Sequence, residues 1–244
     1  MPRSVAINVG ANTSLPGLRG PIYPDGRFTY LPIPEREPTA EPVPTYADLA
    51  AELDLPFPIP EDLADRQVHL DPSFREYPLC ESTTYGDEHG VKAGPISELA
   101  AGDYLLFYAT LSTVETSDRE WITPDWGVYL IGAIRLADDP VTGEQYRDLP
   151  PAERERYADN AHCKRETFDA RVLVRGDPAD SGLFERAVPL SAPDGGATAN
   201  PVVTELAGDS GRGPWWRRVL RFDPAATDAL LDLRTDPGGA LAVG

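Results

Sequence analysis

The chain has little that could cross-link it, since its two cysteines, Cys80 and Cys163, stand far apart and outside any Cys-x-x-Cys pair. A disulfide framework and a four-ligand cysteine zinc site are thereby excluded, and a reducing compartment fits. It also lacks an apolar run long enough to span a bilayer, and its opening MPRSVAINVG holds a short strand-like stretch rather than a secretory h-region. A cytoplasmic protein with no membrane partner is expected. GxSxG, HExxH, GxGxxG and Walker patterns are missing, which removes the sequence basis for serine-hydrolase, zincin and phosphate-cradle readings.

Lysine is as scarce as cysteine. The 22 basic residues are twenty arginines and two lysines, Lys92 and Lys164, against 40 acidic residues, for a net charge of −18. Such an excess of carboxylates suits concentrated salt, where the Debye length falls to about 3 Å at 1 M, and reads as halophilic. An acidic surface normally argues against a nucleic-acid partner. In molar salt counterion release yields little, so stacking, hydrogen bonding and a few local cations would carry recognition and the charge excludes nothing.

What is present suits one α/β (α+β) domain over residues 1–244, with 41% hydrophobic residues to build a core and no Ser/Gly-rich linker to divide it. Strands are predicted at Ser4 to Val9, Arg27 to Ile33, Tyr104 to Leu111, Trp126 to Leu136 and Arg171 to Arg175. The Tyr104 and Trp126 strands should pair antiparallel. Helices are predicted at Tyr46 to Leu53 behind Thr45, at Pro150 to Cys163, from Asp180 or Ser181 through Ala187, at Trp215 to Leu220, and at Pro224 to Leu233. The proline-rich stretch from Pro32 to Pro60 should wrap the surface, and His69 to Gly90 reads as an ordered loop.

Several residue groups could carry chemistry. Asn8, Gly10, Asn12 and Ser14 sit where the first strand ends, a common ligand position in open sheets, with Arg19 near enough to add charge; Asx turns would explain them equally well. Asp71, Tyr85 and Asp87 offer acid/base groups and a stacking ring, with turn-forming aspartates as the plainer explanation. His162, Lys164 and Arg165 form a cation cluster suited to a phosphate or carboxylate, or to a helix dipole. Because arginine has displaced lysine nearly everywhere, Lys164 and Lys92 are singled out as catalytic candidates beside Asp87. Cys163 next to Lys164 could be a nucleophile or a buried structural thiol. Trp215 and Trp216 could stack on bases or anchor the core. His69, Asp71 and His162 would suffice for a metal site, but their spacing matches no known ligand motif, so no metal is assigned and the cofactor stays unknown.

Several segments together resemble one family. They are Ile7–Ser14 with Gly17–Pro21, Leu31–Glu35, His69–Phe74, Thr84–Asp87, Gly102–Tyr108 and Asn160–Arg165. In order and spacing they are similar to the nucleotide modification associated domain 3 family, with Tyr77–Ser82 standing as an insertion. The resemblance implies a nucleotide or nucleic-acid partner, DNA more than RNA, in base modification or mobile-element defence. It implies either a reader of bases or an enzyme acting on them, with an interaction module as a further alternative. Gly102–Tyr108 and Gly127–Arg135 also resemble the paired strands of PUA-like and EVE-like barrels, which bind modified bases and would make Tyr108 a ligand-binding residue. The three polar segments around Asn8, Tyr85 and Lys164 are expected to converge on one cavity.

If 40 carboxylates set the salt requirement, the melting temperature should rise steadily from low to multimolar KCl. A melt that does not move with salt removes the halophilic reading and restores the acidic charge as an argument against nucleic acid.

Overall fold

The structure, a computed structural model, describes residues 1–243. Its strands are β1 (Ser4–Asn8), β2 (Gly20–Ile22), β3 (Thr84–Asp87), β4 (Tyr104–Thr113), β5 (Trp126–Arg135), β6 (Val141–Thr142), β7 (Val172–Arg175), β8 (Gly182–Pro189), β9 (Ser191–Ala192), β10 (Gly195–Ala199) and β11 (Leu220–Phe222). Its α-helices are α1 (Tyr46–Glu52), α2 (Glu61–Ala64), α3 (Gly90–Ser97), α4 (Gly143–Asp148), α5 (Pro151–Arg154), α6 (Ala161–Lys164) and α7 (Pro224–Asp232). They fall into two compact units interleaved along the chain: Met1–Leu31, Tyr104–Ala133 and Phe184–Gly244 in the first, Pro32–Asp103 and Ile134–Leu183 in the second.

The first unit carries most of a six-stranded mixed sheet in the order β11-β1-β4-β5-β8, with β2 also on β4. Strands β1 and β2 run parallel to β4, and β11 runs antiparallel to β1. The apolar runs of β1, β4 and β5 are continuous rather than alternating because nearly every residue in them is buried. One face, through Ala6, Leu106, Tyr108, Val128 and Leu130, packs with Trp215, Leu220, Ala226 and Leu230. Helix α7 starts where the Asp223 carboxylate accepts from the Ala226 amide at 2.8 Å, and Pro224 at its first position needs no partner for a missing N–H.

The second unit holds the small sheet β3-β7-β6, antiparallel throughout, with Gly86 opposite Leu173. A separate apolar cluster of Tyr157, Ala170 and Leu173 packs with Tyr146, Cys163 and Phe168. Thr45 caps α1 in a reciprocal box with Asp48, as its position before an apolar-periodic stretch predicts.

Several elements differ from expectation. Arg27 to Ile33 is not a strand: a turn returns Arg27 O to the Tyr23 amide, a single bridge joins Phe28 to Ile22, and prolines at 32 and 34 remove ladder donors. The polar stretch from His69 to Gly90 contains β3. The helix expected over Pro150 to Cys163 breaks, since Asn160 turns its side chain onto the His162 amide and restarts the chain as the single turn α6. Asp180–Ala187 yields β8 in place of a helix, with the Ser181 hydroxyl accepting from Arg135 N rather than capping. Only Trp215–Arg217 of the Trp215 to Leu220 segment is helical, as a 3-10 turn. The class expected, α+β with a mixed sheet and short helices, is the one found, but the sheets form no closed barrel among the described residues. No described helix is long and apolar enough to cross a membrane.

Two glycines of the first unit separate steric from conformational need. A Cβ on Gly20 would lie 2.0 Å from the Thr29 carbonyl oxygen, whereas Gly17 has open space around it and only a positive φ of 95°. Gly20→Ala should cost about 3 kcal/mol as the backbone is forced apart, and Gly17→Ala about 1 kcal/mol from backbone strain alone. Urea unfolding of the two variants measures this; equal losses contradict the packing described.

Candidate functional site

The densest polar cluster lies in the second unit and is assembled from extended chain. Pro34 bridges Val68, with Glu35 N bonded to Gln67 O and His69 N to Ile33 O, so Glu35 and His69 are held side by side. Their side chains meet at 2.6 Å, Glu35 Oε2 to His69 Nδ1. Two residues on, a tight turn in which the Asp71 amide bonds the His69 carbonyl at 2.8 Å brings Asp71 back beside His69. Its Oδ2 accepts the Gly86 amide of β3 at 2.8 Å, while its other oxygen, Oδ1, is buried without a hydrogen-bond partner.

From the opposite side, α6 delivers His162. Asn160 fixes that turn, accepting from the His162 amide at 3.0 Å and donating to Thr84 of β3 at 3.2 Å. Gly86 makes room for the ring, since a Cβ there would fall 2.7 Å from His162 Cδ2. The two imidazoles stand edge to face with centroids 4.9 Å apart. His162 Nε2 lies 3.5 Å and His69 Nε2 3.9 Å from the same Asp71 oxygen, both longer than hydrogen bonds. His162 Nδ1 meets Asp169 Oδ1 at 2.8 Å, the counterpart of the Glu35 contact to His69. Each ring thus turns Nδ1 to a carboxylate and Nε2 to Asp71.

Arg165 ties the outer carboxylates together. Its guanidinium donates to Glu35 Oε1 at 2.9 and 3.1 Å and to Glu88 and Asp169. Burial is near complete for His69, Asp71 and His162, with side chains at most 5% exposed, whereas Glu88 and Asp169 are about a third exposed and form the wet rim. The electrostatics follow. Burial pushes the Asp71 carboxyl up to about 7, against the pull of His162 and the Gly86 amide. Burial also lowers His69, outweighing its bond to Glu35. On His162 the same burial is overcome by the Asp169 hydrogen bond and the Asp71 charge, so its pKa is raised. Glu35 would rise on burial alone; His69, the Glu37 amide and Arg165 hold it down to about 2. Arg165 stays charged, its carboxylate partners overriding burial.

The other expected site residues have firm structural partners. Lys164 Nζ sits 2.6 Å from Asp159, whose other oxygen accepts the Glu81 and Ser82 amides, so this ammonium anchors the Tyr77–Ser82 stretch. Asp87 accepts from Tyr85 OH and from the His89 amide, both at 2.7 Å, just before α3 begins, and Lys92 lies 3.6 Å away. Burial pushes the Cys163 thiol up to about 11, in keeping with its packing against the Tyr157–Ala170–Leu173 cluster. In the first unit, Asn8 donates to Trp216 O and Tyr108 OH to Arg218 O, so both pin the Trp215–Arg218 segment. Asn12 accepts the Gly17 amide at 2.9 Å, closing the loop across five residues, and the Ser14 backbone amide bonds Ala11 O. Arg19 lies over the Trp126 ring at 5.0 Å, and Trp126 meets Trp216 edge-on.

Of the three polar segments, Thr84–Asp87 and Asn160–Arg165 do meet, through Gly86 and His162 and through Thr84 and Asn160, whereas the Asn8 segment belongs to the first unit. Sequence reasoning left out Glu35, Glu88, Asn160 and Asp169. Glu35 and Asn160 lie within the family-like segments, which was the signal that could have found them. Nothing local marks Glu88 or Asp169.

No curated protein and no solved structure matches the chain. One family model does, nucleotide modification associated domain 3, over residues 3–232 of 244, and so runs through both units. The chain belongs to the nucleotide modification associated domain 3 family.

Proposed function

We propose that this protein performs a chemical step of nucleotide modification, with the His69–Asp71–His162 centre of the second unit as its reacting site. The observation that carries the reading is the convergence of two buried imidazole Nε2 atoms on one aspartate, each ring oriented by its own carboxylate. A buried, half-compensated polar cluster destabilises a fold by several kcal/mol relative to an apolar core, so its construction points to chemistry rather than stability. The family's description, nucleotide modification associated, supports a nucleotide or a base in nucleic acid as the substrate class. Glu88 and Asp169, about a third exposed, are the parts of this cluster nearest solvent, and the reading requires a substrate to approach past them and Arg165.

A second reading, holding of a base by the first unit, is favoured by the Arg19–Trp126–Trp216 row and by the buried, unpartnered Arg19 Nε and Asn8 Oδ1. Base stacking on such rings contributes about 1–3 kcal/mol, so Trp126→Ala should weaken nucleotide binding roughly tenfold in a fluorescence titration. An unchanged affinity dismisses this reading.

The enzymatic reading is tested by expressing the wild-type chain and Asp71→Asn in host cells. DNA, RNA and free nucleotides are then digested to nucleosides and compared by mass spectrometry. A nucleoside present with the wild type and reduced about 100-fold or more with the variant is expected. Identical profiles contradict it.

A further inference from the structure

The centre has the construction of a metal site. One ligand atom from each of His69, Asp71 and His162 lies within 4.8 Å of the other two. His162 Nε2 and His69 Nε2 stand 3.5 and 3.9 Å from one Asp71 oxygen, close to the roughly 3–3.6 Å that separates ligand atoms each bonded at about 2.0–2.2 Å to one first-row metal. The histidine pattern agrees as well. A ligating imidazole donates its other nitrogen to a carboxylate, and here both rings do so, His69 to Glu35 and His162 to Asp169. Both therefore present Nε2 inward.

Charge points the same way. Glu35, Asp71, Glu88 and Asp169 face one guanidinium, Arg165, which is already engaged by Glu35, Glu88 and Asp169 and does not bond Asp71. The innermost carboxylate is the one Arg165 does not bond, and its Oδ1 has no hydrogen-bond partner. The second possible grouping, Glu88 with His162 and Asp169, is closed because Arg165 bridges both carboxylates. Lysine–aspartate pairs at 164/159 and 92/87 are self-contained and leave the centre as it is.

We propose that His69, Asp71 and His162 bind one first-row transition-metal dication as a two-histidine, one-carboxylate site, with Glu35 and Asp169 orienting the imidazoles. Two nitrogen ligands select such an ion over Mg2+ or Ca2+, and three protein ligands leave positions for water or substrate. The inference deepens the enzymatic reading, since it supplies that site with a Lewis acid, but metal binding is measured without reference to activity.

The experiment uses the full chain, stripped with chelator and titrated anaerobically with Zn2+, Mn2+ and Fe2+, with Mg2+ as control. Bound metal is read by plasma mass spectrometry and the fold by circular dichroism and melting. About one equivalent of a transition metal per wild-type chain is expected, with a raised melting temperature and no response to Mg2+. His69→Gln with His162→Gln should retain less than a tenth of that metal. Asp169→Asn, a change on the partly exposed rim that spares all three ligands, should weaken affinity about ten- to a hundredfold, which keeps the test open if the double variant fails to fold. A wild-type chain that neither retains nor responds to any of the three ions overturns the proposal, as does equal retention by a folded double variant. Metal bound with no altered nucleoside sustains the metal site and sinks the enzymatic reading; an altered nucleoside made by metal-free protein does the reverse.

Discussion

The grip of two carboxylates on two imidazoles is the constraint around which the second unit is organised. Glu35 and Asp169 each accept from an Nδ1, and this fixes which nitrogen of His69 and His162 faces Asp71. The surrounding chain reads as a set of devices for holding that arrangement. The Pro34–Val68 bridge places Glu35 beside His69, Gly86 clears space for the His162 ring while its amide holds Asp71, and Asn160 both starts α6 and ties it to β3. Arg165 then neutralises the outer carboxylates, without which Glu35 would be a buried charge costing several kcal/mol.

The two units differ in how their polar residues are used. In the first, Asn8, Asn12 and Tyr108 stabilise turns and segments close to the sheet, work that short amides and a phenol commonly do where strands end. In the second, polar groups are buried together and directed at one point. Family membership spans both, and the reacting centre proposed above lies in the second.

How much of this was legible in the sequence depended on range. Strands buried throughout, such as β1, β4 and β5, announce themselves as apolar runs, and the α1 and α7 starts carry capping residues at the right offset. Where two local signals competed, the tertiary partner decided: Ser181 resembles a helix cap, yet its hydroxyl meets Arg135 and β8 joins the sheet. The site was legible in its residue types but not in its geometry. His69, Asp71 and His162 were recognisable as able to ligate although no metal was assigned to them, but the 90 residues between Asp71 and His162 are bridged by sheet pairing that no spacing rule encodes. Lysine scarcity drew attention to Lys164, which proves to be the partner of Asp159, one step outside the centre.

The direct test of the central arrangement is the tautomer of the histidines, read by long-range proton–nitrogen correlation on protein labelled with nitrogen-15 histidine at mildly alkaline pH. Only His69, His89 and His162 contribute, so the spectrum is simple to assign. His69 and His162 should both carry the proton on Nδ1, with Nε2 bare, and Asp169→Asn should loosen that preference at His162 alone. Protonated Nε2 atoms on both rings would contradict the carboxylate grip and, with it, the inward-facing centre.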